Sequence, residues 1–299
     1  MQFQSVTTAL GIKKPLIISG PCSAETESQM ITTAKQLAAT GKVHVLRAGI
    51  WKPRTRPGQF EGAGEPGLEW LIAAKKETGL PVTTEVATAA HVEACLKAGV
   101  DILWVGARTT VNPFSVQEIA DALKGVDIPV MVKNPVNPDL ELWLGAFERL
   151  SRAGIKTMSA IHRGFSSFDK GPFRNAPMWD LSIELKTRMP GIEMICDPSH
   201  IAGNRDLIAL VSQKALDLDM AGLMIESHLN PDAAWSDAKQ QVTPANLGKI
   251  VDSLVVRSVS SDNKTFKDTL GILRDQIDQL DDEIMQKLDN WMKISEMIG

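Results

Sequence analysis

The chain has 299 residues, with 32 Lys+Arg against 36 Asp+Glu, 43% apolar and 23% charged residues. This composition suits an ordinary globular protein with a sizeable core, of one large α/β domain or two small ones. The near-balanced charge argues against a dedicated nucleic-acid or membrane-surface binder, and no apolar run reaches the roughly 18 residues of a membrane span. The opening Met1-Gln2-Phe3-Gln4-Ser5 lacks a signal-peptide pattern, and Cys22, Cys95 and Cys196 are odd in number and outside any Cys-x-x-Cys motif. A reduced, cytoplasmic protein is the expectation.

The charge is unevenly placed. Five of the basic and nine of the acidic residues fall in 262–299, so residues 1–261 carry 27 of each. Two units are expected.

Within the body, short β-rich runs alternate with stretches of helical period. In chain order the runs are Pro15–Cys22, Val43–Trp51, Pro81–Thr88, Asp101–Thr109, Pro129–Pro135, Thr157–Phe165, Glu193–His200 and Gly222–Leu229. Helices are expected between them, among them Glu27–Thr40, Leu68–Thr78, Ala89–Ala98, Ser115–Lys124, Asp139–Ala153 and Asp206–Leu216. Most runs are apolar on both faces, as parallel strands under helices are. Eight such units in about 250 residues predict an α/β fold of the (β/α)8 TIM-barrel type, with a doubly wound open sheet as the alternative.

Polar residues gather at the C-terminal ends of the runs: Cys22, Arg47, Lys52, Glu85, Arg108, Lys133, Arg163, His200 and Glu226. In a barrel these ends share the rim on which active sites are built. Cys22, His200, Glu226 and, in the following loop, Asp237 could supply a thiolate, an imidazole and two carboxylates to a divalent Mn, Fe, Co or Zn ion. Taken alone, Cys22 is better read as a small buried hydrophobe, like Cys95 and Cys196. His228 is a weaker substitute ligand, and His44, His91 and His162 have no comparable company. Arg47, Lys52, Arg54, Arg108, Lys133 and Arg163 have apolar neighbours and would be costly to bury without anions, which points to a phosphorylated or carboxylated ligand. Gly62-Ala63-Gly64-Glu65-Pro66-Gly67 matches a dinucleotide fingerprint, but it follows a polar loop and contains Pro66, so a substrate-binding loop is the better reading.

After Ser258 the pattern changes. Residues 258–267 have linker composition, and Leu270, Leu273, Ile277, Leu280, Ile284, Leu288 and Trp291 form one apolar stripe of an amphipathic helix over 268–299. The division expected is therefore a barrel over 1–257, the linker, and this helix.

Gly20-Pro21-Cys22-Ser23, Arg47-Ala48-Gly49, Lys52-Pro53-Arg54-Thr55, Gly106-Ala107-Arg108, Val132-Lys133-Asn134-Pro135, His162-Arg163-Gly164 and Asp197-Pro198-Ser199-His200 together resemble the type I DAHP (3-deoxy-D-arabino-heptulosonate 7-phosphate) synthases, in their octulosonate-synthase-like branch. The resemblance spans about residues 14–245. It implies a metal-dependent transferase of the shikimate pathway to the aromatic amino acids, condensing phosphoenolpyruvate with erythrose 4-phosphate. The sister octulosonate 8-phosphate synthase, which uses arabinose 5-phosphate, typically reads Lys-Ala-Asn-Arg where this chain has Lys52-Pro53-Arg54-Thr55. The resemblance further implies Cys22, His200, Glu226 and Asp237 as ligands of a divalent metal, manganese foremost. It implies Arg108 and Arg163 for the enol phosphate, Arg47, Lys52 and Lys133 for its carboxylate and bridging oxygen, and Arg54 and Thr55 for the aldose phosphate. Glu85 is implied to position water, and Lys52, beside Cys22 and His200, to take part in catalysis as a proton donor. A non-enzymatic, scaffolding barrel is the remaining alternative.

In the tail, Leu273-Arg274-Asp275-Gln276-Ile277-Asp278-Gln279-Leu280-Asp281 resembles the opening of the first helix of the all-α chorismate mutases, which some DAHP synthases carry C-terminally. Trp291 stands where an arginine is expected, and the chain stops at Gly299 before two further helices. The expectation is an incomplete mutase-like domain without that activity, whose apolar stripe serves homo-oligomerisation.

Overall fold

The computed structural model describes residues 4–53, 58–169, 171–257 and 264–298, the last without the side chains of 264–268. Two compact units result, Met1–Val256 and Arg257–Gly299.

The first unit opens with a single helical turn, α1 (Val6–Ala9), and strand β1 (Leu16–Gly20). Then come α2 (Glu27–Ala39), β2 (Val45–Arg47), α3 (Glu65–Thr78), β3 (Val82–Val86), α4 (Ala89–Ala98) and β4 (Ile102–Val105). A second short turn α5 (Ala107–Thr110) precedes α6 (Pro113–Ala122), β5 (Val130–Lys133), α7 (Leu140–Arg152) and β6 (Met158–His162). The last part holds α8 (Trp179–Arg188), β7 (Met194–Cys196), α9 (Pro198–Ala202), α10 (Ile208–Asp217), β8 (Gly222–Glu226) and α11 (Pro244–Ser253). All eight strands pair in parallel and in sequence order, and β8 closes on β1 with Leu16 opposite Gly222. The sheet is therefore a closed barrel, and the open-sheet alternative falls.

Alternation along each strand divides the core in two. Leu16, Ile18, Val45, Ile102, Trp104, Met131, Ile161, Ile195 and Met224 fill the interior together with Val6 of α1, which plugs one end. Their neighbours Ile17, Leu46, Leu103, Val105, Val130, Val132, Ala160, Met194, Leu223 and Ile225 face the helices. On α7, the spacing of Trp143, Ala146, Phe147 and Leu150 lays one buried stripe on the strands. Cys95 and Cys196 belong to this outer layer, as small buried hydrophobes.

Two strand ends differ from the sequence reading. The run 101–109 stops as a strand at Val105, because Gly106 N-caps α5 and puts Arg108 on a helical turn. The run 193–200 stops at Cys196; Pro198 at the first helical position and Asp197 as N-cap start α9, so His200 lies on a helix rather than at a strand end.

His162, on the outer side of β6, is fully buried beside Trp179, Phe165 and Trp143, at ring-centroid distances of 5.0, 5.8 and 6.5 Å. Burial lowers its pKa to about 3. Between pH 6.5 and 3 the unfolded chain takes up a proton that the folded one refuses, so stability is full above 6.5 and falls on acidification, by at most about 1.4 kcal/mol per pH unit. Urea titrations from pH 7 to 4 should show a shallower acid-side loss for His162→Phe than for the wild type. Parallel curves would refute this.

The described part of the second unit holds one helix, α12 (Lys264–Ile298), beginning inside the segment assigned by composition to a linker. Its 35 residues span about 50 Å at 1.5 Å per residue. Ile272, Leu273, Ile277, Leu280, Ile284, Leu288 and Trp291 are all at least half exposed on it. No helix among the described residues is long and apolar enough to cross a membrane.

Candidate active site

Two residues beyond the interior apolar layer, the strands present a different set: Arg47 on β2, Glu85 on β3, Lys133 on β5, Arg163 just after β6, Asp197 after β7 and Glu226 ending β8. A period of two carries each strand from core to site in one step, which is why the polar ends noted in the sequence converge.

Cys22 follows β1, and its Sγ lies 3.4 Å from Asp237 Oδ2, to which the thiol donates. One ligand atom each of Cys22, Glu226 and Asp237 falls within 4.8 Å of the others. Burial, reinforced by Glu226, pushes the Cys22 thiol up to about 12. Glu226 is fully buried, yet among the described residues its Oε1 has no hydrogen-bond partner; Arg47 Nη1 is 3.2 Å away but outside hydrogen-bonding geometry. The other oxygen, Oε2, accepts from Gln240 Nε2 at 2.7 Å. A sulfur and two carboxylates so close together, with one buried carboxylate oxygen left over, fit a divalent cation.

His200 stands at the edge of this trio. Its Nδ1 contacts Asp197 at 2.8–3.0 Å, and its Nε2 lies 3.9 Å from Glu226 Oε1. Burial lowers the His200 pKa, and His200 and Lys133 hold the buried Asp197 carboxyl well below the usual range despite its burial. An ionised Asp197 requires the hydrogen on Nδ1, leaving the Nε2 lone pair for the site. His228 is not a substitute ligand. Its Nδ1 accepts from Asn230 N at 2.9 Å, so Nε2 carries the hydrogen and donates to the buried Glu25 at 3.3 Å; both nitrogens are engaged. Glu25 in turn accepts from Trp235 N at 2.8 Å, tying down the loop that carries Asp237.

The cations form the opposite wall. The carbonyl of Cys22 accepts from Arg47 Nη2 at 3.1 Å and from Lys52 Nζ at 3.0 Å, and Lys52 Nζ is also 3.1 Å from Cys22 Sγ. Burial disfavours the Lys52 ammonium, but Cys22 and Glu226 hold its pKa above the ordinary value. Lys133 pairs with Asp197 at 2.7 Å, both buried. Arg163 is pulled down to about 10, by burial first and then by Arg174 and Arg108, although Asp197 opposes the shift. A buried guanidinium that loses charge stability, with further cations close by, makes a surface built for an anion. Arg108 is exposed on α5, and Arg54 and Thr55 lie outside the described residues.

Several contributors escaped the sequence reading. Asp197 and Asn134 belong to motifs named above but had no role there; Asn134 Oδ1 accepts from Arg163 N at 2.7 Å. Arg174 carries no signal, being inside the long segment between β6 and α8, yet its Nη1 donates to Asp237 Oδ1 at 3.0 Å. Gln241 accepts from Cys22 N at 2.9 Å. Trp51 stacks on His91 with centroids 4.1 Å apart, beside Lys52. A cavity of about 350 Å³, lined by Phe60, Trp235 and Asp237 among others, opens next to the trio.

Residues 4–259 match the DAHP synthetase I family. The chain belongs to that family. A phospho-2-dehydro-3-deoxyheptonate aldolase of Thermotoga maritima is 31% identical, over 86% of this chain and 71% of its own. The crystal structure of the DAHP synthase of that organism superposes with a TM-score of 0.71 at 31% identity, covering 79% of this chain and 67% of the other. A 2-dehydro-3-deoxyphosphooctonate aldolase of Variovorax paradoxus is 26% identical over 82% of this chain and 91% of its own. Membership in the family makes this an enzyme of the aldol-type condensation of phosphoenolpyruvate with a sugar phosphate.

Proposed function

We propose that the protein is a metal-dependent DAHP synthase, condensing phosphoenolpyruvate with erythrose 4-phosphate to 3-deoxy-D-arabino-heptulosonate 7-phosphate and phosphate. The reading is carried by the cluster of Cys22, Glu226 and Asp237 facing a wall of buried cations. The heptulosonate choice is supported by Lys52-Pro53-Arg54-Thr55 and by the Thermotoga relative.

Cys22, Glu226, Asp237 and His200 would hold the ion, manganese foremost, which when bound supplies Lewis acidity toward the aldehyde oxygen. Arg163, with Arg108, takes the enol phosphate; Arg47, Lys52 and Lys133 take its carboxylate and bridging oxygen. This cage offsets the charge of the substrate and aligns the enol carbon with the aldehyde. As the carbon–carbon bond forms, the aldehyde oxygen takes a proton, for which the Lys52 ammonium is the donor. Water aimed by Glu85 adds to the former enol carbon and gives up a proton to the Lys52 amine; the resulting hemiketal loses phosphate by carbon–oxygen cleavage, its hydroxyl proton passing to the leaving phosphate. Arg54 and Thr55 are assigned to the aldose phosphate. The barrel of 1–257 is the catalytic unit, and the exposed stripe of the mutase-like helix α12 is the candidate element for self-association.

Phosphate release with phosphoenolpyruvate and Mn2+ should be at least tenfold faster with erythrose 4-phosphate than with arabinose 5-phosphate, and EDTA should abolish it. A preference for the pentose would establish the octulosonate reading instead. Release from neither would leave the scaffolding barrel.

A further inference from the structure

One interior residue touches several of the assigned side chains and has no role in the scheme above. Trp104 on β4 is fully buried in the barrel. The Cζ of Arg47 lies 5.0 Å from its ring centroid, and the Nζ of Lys133 lies 5.6 Å from it. Its indole Nε1 donates to Glu85 Oε2 at 3.1 Å. In register Trp104 lies opposite Glu85 of β3 and Met131 of β5, at the top of the apolar layer and directly beneath the charged one.

The physical case is a division of labour within one ring. The π face is electron-rich and attracts cations, while the N–H edge is positive and attracts a carboxylate. Arg47 Nε and Nη1 are buried and find no hydrogen-bond acceptor among the described residues, although Glu226 Oε1 lies 3.2 Å from Nη1, so the ring face is one of the few groups that hold the guanidinium in place. Glu85 is fixed from both sides: Oε2 by the indole, and Oε1 by close packing on Gly106, where a Cβ would collide with it.

We propose that Trp104 is the positioning residue of the anion cage, its face holding Arg47 and Lys133 for the carboxylate end of phosphoenolpyruvate and its N–H aiming Glu85. This rests on the phosphoenolpyruvate reading above. The ring adds no group to the reaction; it acts through three residues that do.

The test measures phosphoenolpyruvate binding by calorimetry in the wild type, in W104L, and in proteins with tryptophan carrying one to four fluorines at position 104. Fluorination weakens the ring face with little change in volume, so a merely structural tryptophan would not respond. The Kd is expected to rise with each fluorine to about tenfold overall, and at least tenfold in W104L. In turnover, W104F retains a ring face but loses the N–H: its KM for phosphoenolpyruvate should stay within about threefold while kcat falls about tenfold. E85Q should show the same fall, and the E85Q/W104F double variant should be no worse than either single one. If W104L fails to fold, the fluorinated series still decides. A Kd that stays flat along that series, or additive losses in the double variant, would overturn the role of Trp104. A wild type that does not bind phosphoenolpyruvate would overturn the functional reading and this inference with it. One that binds it without turnover leaves the Kd series to decide for Trp104 and counts only against the synthase.

Discussion

Replacing Cys22 with alanine should reduce kcat/KM by about 10³-fold or more while leaving phosphoenolpyruvate affinity within about threefold. The first effect follows from losing the sulfur at the centre of the proposed ion site, where Lewis acidity is worth several kcal/mol and each 1.4 kcal/mol is tenfold in rate. The second follows from how the cation wall is attached. Arg47 and Lys52 bond to the main-chain carbonyl of Cys22, which alanine retains. Metal content by elemental analysis, turnover with Mn2+ and calorimetric binding of phosphoenolpyruvate separate the two. Full activity of Cys22→Ala in metal-free buffer would remove the ion from the mechanism, and a collapse of phosphoenolpyruvate binding would remove the carbonyl anchor.

Asp197→Asn should have the next largest effect. The carboxylate is completely buried and serves Lys133 and His200 together. Removing one partner of a buried pair typically costs about 3–5 kcal/mol, because the other charge is left uncompensated. Asparagine keeps one acceptor oxygen where two now serve Lys133 and His200, and its NH2 would face a donor or favour the wrong His200 tautomer; loss of such support weakens metal binding roughly 10–100-fold. A urea midpoint clearly below that of the wild type should therefore accompany a metal Kd raised by at least tenfold. An Asp197→Asn protein with unchanged midpoint and metal affinity would show that Lys133 and His200 are held by something else.

Much of this architecture is legible from residue types and spacing, for a specific reason. Parallel strands covered on both faces read as apolar runs, and a step of two along them carries Val45 to Arg47, Met131 to Lys133 and Met224 to Glu226. The order of residues alone therefore puts the polar ends in phase with the barrel interior. Residues outside that phase are not legible. Arg174 reaches Asp237 from a long irregular segment, where no period exists to mark it. Trp104 obeys the period but is apolar, and only its cation contacts distinguish it from barrel filling. His228 shows the opposite error: a histidine near Glu226 suggests a ligand, and only the hydrogen bond from Asn230 reveals which nitrogen carries its proton. The ends of β4 and β7 are misread because Gly106 and Pro198 each start a helical turn within the same polar stretch.

The packing of Glu85 against Gly106 bears on how this sequence can vary. Gly106 has an ordinary backbone conformation, so nothing in its own turn forbids alanine. What stands in its way is a carboxylate on the neighbouring strand, which occupies the space where a side chain would begin and would have to swing aside, away from the Trp104 indole. Tolerance at position 106 is thus set by residue 85. Position 85 can change while the glycine stays, but a side chain at 106 needs room made at 85, and a shorter acid there is the substitution that would make it.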